Sequence, residues 1–89
     1  MARVEPSALT ESELIYMAAS LNEARKAEAL LTDRGVDYAV QVKPIGFTLL
    51  GSQRKGAAFY VAVAQAAYCR SHLETAGLGL GVVNEDDSV

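Results

Sequence analysis

Nine consecutive residues, Gly56-Ala57-Ala58-Phe59-Tyr60-Val61-Ala62-Val63-Ala64, carry no charge and show no alternation of polar with apolar positions. A strand with one wet face alternates, whereas a strand covered on both faces does not. The run therefore reads as a central strand, entered from the basic turn Gln53-Arg54-Lys55 and leading into a helix. With 89 residues the chain is one small domain, too small for more than one helical layer. One layer covers one face of a sheet, so the other face calls for a partner.

Composition places the chain among globular domains, because 51% of its residues are apolar and 21% charged. The net charge of −3 resides in the ends. Between Glu13 and Val83, seven cations (Arg25, Lys26, Arg34, Lys43, Arg54, Lys55, Arg70) oppose six acids (Glu13, Glu23, Glu28, Asp33, Asp37, Glu74). The body is thus near neutral, and bulk charge points neither toward nor away from an anionic partner. A lone cysteine, Cys69, excludes an intrachain disulfide and fits a reducing compartment. No stretch approaches the roughly 20 apolar residues of a membrane span, and no signal-peptide core opens the chain. The expectation is a cytoplasmic protein with no membrane partner and no cofactor.

Residues 1–12 read as a flexible arm, 13–83 as the folded domain and 84–89 as a mobile acidic tail. Leu14 to Ala19 is a strand apolar on both faces. Ser20-Leu21-Asn22-Glu23 follows as a capping box, in which Ser20 and Glu23 satisfy each other's orphan backbone donors. The helix behind it turns Ala24, Ala27, Leu30 and Leu31 inward and stops at Gly35. Val36 to Val42 alternates, with Val36, Tyr38, Val40 and Val42 inward, and Pro44 ends that strand. After the central strand, a second helix runs from about Gln65 to Ala76 and stops at Gly77. Leu78 to Val83 is a last strand, weakened by two glycines and so placed at an edge. This order predicts an α+β fold, the ferredoxin-like βαββαβ sandwich, with four antiparallel strands and both helices on one face.

The connection from Pro44 to Gly56 is too long for a tight hairpin and, with Ile45, Phe47, Leu49 and Leu50, too apolar for a solvated loop. Its first half either extends the second strand or lies on a neighbouring subunit. Its second half, Gly51-Ser52-Gln53-Arg54-Lys55-Gly56, is the best candidate ligand site. Two glycines allow close backbone approach, Arg54 offers a planar fork to phosphate or carboxylate, Lys55 a point charge and Ser52 a hydroxyl. Ser52, Gln53, Arg54 and Lys55 are the candidate ligand residues. Phe47, Leu49, Leu50 and Tyr60 are the candidate interface residues. The spacing is not that of a phosphate loop, since no Gly-Lys-Ser/Thr run or helix start follows. A solvated, charged hairpin tip would look the same.

Ser20-Leu21-Asn22-Glu23-Ala24 through Leu30-Leu31, and then Asp33-Arg34-Gly35-Val36-Asp37-Tyr38, resemble a small bacterial domain family described as prokaryotic signal transducing proteins. The resemblance covers Leu14 to Val42. It implies a fold like that of the nitrogen-regulatory PII proteins, in which the loop between the second and third strands carries ligand and partner contacts. Here that position is 44–56. No PII modification or nucleotide motif occurs in it, so the resemblance implies a location and not a ligand.

Two other readings stand beside regulation. Lys55-Gly56-Ala57-Ala58-Phe59-Tyr60-Val61-Ala62 partly follows the octapeptide of RNA-recognition motifs, with Tyr16 as a second aromatic. Ala57 and Ala62 stand where that octapeptide has aromatics, and the near-neutral body lacks a basic stripe. A divergent enzyme with its site at a subunit interface would show convergent titratable groups in a cleft. Cys69 and His72 are three apart on a helix, but two ligands do not make a metal site, and nothing in the sequence supplies a base for Cys69. The residues favour a small, non-catalytic regulatory or binding module. It would sense an anionic small molecule or contact a protein through 44–56, and self-associate as a dimer or higher oligomer.

Overall fold

The computed structural model describes Val4, Leu9 and residues 11–47 and 53–83, with backbone alone for 45–47 and 53–54. In chain order the elements are β1 (Ser12–Ala18), α1 (Leu21–Asp33), β2 (Tyr38–Phe47), β3 (Gln53–Ala62) and α2 (Val63–Thr75), followed by a short 3-10 turn at Gly79–Gly81. The fold is α+β. Among the described residues three strands form one antiparallel sheet in the order β1-β3-β2. The charge-free run thus occupies the middle of the sheet, where both of its edges are paired.

Register sets the two faces. Tyr16 and Val40 flank Phe59 on one side, and Tyr38 lies opposite Val61. Tyr16, Tyr38, Phe59 and Val61, with Ala27 and Leu31 of α1 and Ala66, Cys69 and Leu73 of α2, belong to a single buried cluster against which the partly buried Val40 packs. Tyr16 and Tyr38 meet the Phe59 ring at centroid distances of 5.8 and 5.9 Å. Ala39 and Ala58 are also fully buried but stand outside this cluster, on the other face of the sheet. There Tyr60 is half-buried, and the Lys43 ammonium lies 5.2 Å from its ring centroid, within cation–π range.

Several sequence expectations change. β1 carries apolar residues on both faces, and its register skips Ile15, between the Leu14–Tyr60 and Tyr16–Phe59 pairs, which alternation does not predict. A bulge inserts an extra residue and re-aims its neighbours, so Ile15 and Tyr16 both enter the core. β2 does not end at Pro44. It pairs with β3 as far as Phe47, with an irregularity between Pro44 and Gly46. β2 is an outer strand, where a missing N–H can point away from the ladder. The apolar first half of the connection is therefore part of the sheet. α2 begins at Val63, so Val63 and Ala64 are helical and Ala64 does not extend the strand. No side chain caps this helix; the Glu11 carbonyl accepts the Val63 N–H at 2.9 Å in place of a cap.

The strand expected over 78–83 is the largest departure. Gly81 N–H donates to the Leu78 carbonyl and Val82 N–H to that of Gly79, so local bonds take up the backbone. Only Val82 bridges β1, opposite Tyr16, and Val83 N–H donates to Ile15 at 2.8 Å. Arg70 of α2 ties this segment down. Its guanidinium donates to the Val83 carbonyl at 2.6 Å and the Leu14 carbonyl at 3.0 Å, and pairs with Glu13.

Both helix ends follow the local signals. Gly35 and Gly77 adopt positive φ, 69° and 86°. In each case the next two N–H groups close back on the last turn, Gly35 to Thr32 and Val36 to Leu31, then Gly77 to Glu74 and Leu78 to Leu73. At the start of α1, Glu23 N–H donates to Ser20 Oγ, and the Glu23 carboxylate accepts from the Ser20 hydroxyl and the Ala19 N–H. The second backbone donor is Ala19 and not Ser20 itself. Ser20→Ala is expected to cost about 1 kcal/mol, a fall of roughly 4–8 °C in Tm for a domain of this size. An unchanged Tm would mean that the cap contributes nothing.

Candidate functional site

Small side chains make the site. Ala18 ends β1, Ala24 lies in the first turns of α1, and Ala57 lies opposite Val42 in the β2–β3 ladder. Where larger residues would have met, a cavity of about 270 Å³ remains open between the start of α1 and the outer part of the hairpin. Among the described residues its lining is apolar apart from Ser20 and Lys55, and Lys55 is the one charged residue. Leu21 and Val42 also line it and are 67% and 71% exposed. Val42 belongs to the inward set by alternation, but it lies where the hairpin outruns the helices.

Of the candidate ligand residues, Lys55 is exposed and joins this cavity. Gln53 and Arg54 open β3 at the register positions opposite Phe47 and Gly46. Ser52, Leu49 and Leu50 lie outside the described residues. Tyr60 takes its place on the opposite sheet face with Lys43. Sequence reasoning missed Ser20, Leu21, Ala24 and Val42 as neighbours of Lys55. The signal available was modest: alanines at 18, 24 and 57 where a core would have larger residues, and an apolar Leu21 in the first turn of a capped helix.

Other chemistry is sparse. Tyr16 and Phe59, which a base-stacking surface would need exposed, have no exposed area and lie in the core. Among the described residues no three His, Cys, Asp or Glu side chains converge on a metal position. His72 packs against Tyr68, with ring centroids 4.3 Å apart. Glu28 accepts the Tyr38 hydroxyl at 3.1 Å, which gives this helix-face acid a structural partner. Burial pushes the Cys69 thiol from 9.0 up to about 11, so near neutral pH it is protonated and unreactive. Burial, and behind it the Glu23 carboxylate, also raises the Tyr16 phenol above 10.0.

A raised thiol pKa is a statement about stability. Below pH 9 both folded and unfolded states hold the proton, and the buried thiol's contribution is complete. As pH climbs toward about 11, the unfolded state releases its proton first and that contribution is lost. The stability difference between the wild type and Cys69→Ala is expected to shrink between pH 8 and pH 11 in urea titrations. A constant difference would contradict the shift.

Among the described residues no helix is long and apolar enough to cross a membrane. No family model, no curated protein and no solved structure matches this chain.

Proposed function

We propose that this protein is a small, non-catalytic regulatory or binding module that receives an anionic small molecule or a protein partner through the 44–56 connection, at the outer part of the β2–β3 hairpin. One observation carries the reading: Lys55 borders an apolar cavity roofed by the start of α1. A concave, mainly apolar site with a few polar groups is the usual form of a ligand pocket. The chain order is consistent with a ferredoxin-like arrangement, in which Val82 and Val83 would stand at the fourth position beside β1. That arrangement accords with the resemblance to the signal transducing family of PII-like fold; in PII proteins the loop between the second and third strands carries ligand and partner contacts. The sheet face bearing Ala39, Ala58 and Tyr60 is the proposed surface for self-association, and a cytoplasmic setting accords with a buried, reduced Cys69.

The test is thermal unfolding against a panel of metabolite anions, nucleotides and short RNA, repeated on an Arg54→Ala/Lys55→Ala variant. A ligand at 100 times its Kd adds about 2.7 kcal/mol, or several degrees. A shift confined to one compound class and lost in the variant is the expected result. Shifts that survive in the variant would place the site elsewhere.

A further inference from the structure

We infer that the cavity beside Lys55 accepts a small amphipathic monocarboxylic acid, its carboxylate on Lys55 and its apolar body along Ala24, Val42 and Ala57. The inference rests on the binding-module reading and names the ligand class of that same site. Size is the first constraint. At about 270 Å³ the cavity lies just below the range of roughly 300–1,000 Å³ that encloses drug-sized ligands, so a nucleotide would leave most of its surface outside.

Charge is the second constraint. Among the described residues Lys55 is the one cation in the lining, and no acid lines the cavity. A single ammonium balances a single carboxylate. A phosphate-bearing ligand would bring further negative charge against alanine and valine walls, where it would stay unpaired. Lys43, the other hairpin cation among the described side chains, is turned to Tyr60 on the opposite face and cannot serve as a second clamp. The third constraint is the rim. Leu21 and Val42 keep most of their surface in water, and an alkyl or aryl body lying between them would cover apolar area that the fold leaves bare. A strongly polar anion would gain nothing there.

The experiment uses the full chain and the series acetate, butyrate, hexanoate, octanoate and decanoate, with the matching alcohols and with inorganic phosphate. Binding is followed by calorimetry and by amide shifts at Ala18, Leu21, Val42 and Ala57. Each added CH₂ that enters the cavity is expected to tighten binding about fourfold, until the volume is full and the series levels off. Lys55→Gln should weaken the acids at least tenfold and leave the alcohols unchanged. Ala24→Leu, which fills the cavity and keeps Lys55, should abolish both.

Three results would overturn the inference, and they are separable from failure of the broader reading. Phosphate or nucleotide binding that needs Lys55 and tolerates Ala24→Leu would remove the amphipathic acid and leave the binding module standing. Self-association that Ala24→Leu disrupts, with no acid bound, would assign the groove to a second copy. No binding by any member of either panel would remove both.

Discussion

Arg70→Ala is expected to lower stability by about 3 kcal/mol, near the lower end for breaking a buried ion pair. A domain of this size has on the order of 4–13 kcal/mol in total, so the effect is large. The reason lies in three acceptors that belong to distant parts of the chain: the Glu13 carboxylate, the Leu14 carbonyl and the Val83 carbonyl. The Arg70 and Glu13 side chains are only 12% and 17% exposed, so water replaces little of what is lost. Arg70→Lys keeps the charge, but one compact ammonium lacks the planar fork that reaches all three oxygens. It should recover less than half of the loss. Urea unfolding measures both variants, and amide exchange at Val83 should accelerate in each. A loss below 1 kcal/mol for Arg70→Ala would mean that the segment after α2 is held by other contacts.

Gly81→Ala is the second large effect, expected at about 2–3 kcal/mol from overpacking. A β-carbon at this position would sit 2.5 Å from Tyr16 Cε1 and 2.7 Å from the Met17 carbonyl oxygen. Tyr16 is fully buried against Phe59, and the Met17 carbonyl belongs to β1, so neither can yield cheaply. Gly79, two residues earlier, supplies the control. A β-carbon there meets Glu74 Cγ at 3.7 Å, an ordinary contact on an exposed side chain. Gly79→Ala should therefore change Tm by little, while Gly81→Ala lowers it by roughly 10 °C or more. Equal effects at the two positions would show that backbone freedom, and not the Tyr16 contact, is what these glycines provide.

Those two residues show where sequence reading stopped. Gly79 and Gly81 look alike in the chain and were read together as weakening a strand, yet only Gly81 lies against an aromatic ring. Arg70 looked like one more helix cation, because nothing within α2 marks a side chain whose acceptors lie at residues 13, 14 and 83. The hairpin was only partly readable. The apolar character of 45–47 was visible, but its pairing past Pro44 depends on β2 being an outer strand. Lys55 stands out in the sequence as a candidate ligand residue and borders the cavity, whereas the alanines that leave room beside it become meaningful only once Ala18, Ala24 and Ala57 come together.

What the sequence determined by itself is local: the capping box at Ser20, the helix stops at Gly35 and Gly77, the helical spacing of Ala27 with Leu31 and of Ala66, Cys69 and Leu73, and the central position of the charge-free run. The caps, stops and helical spacings depend on groups within a few residues of one another, and the central run is marked by its own lack of alternation, although its strand partners are distant. Tertiary structure decided the skipped register at Ile15, the persistence of β2 beyond Pro44, the 3-10 turn in place of a full last strand and the cavity at Lys55. In each of those cases a backbone group or side chain satisfies itself against residues far away in sequence, and which distant partner prevails is settled only when the whole core closes.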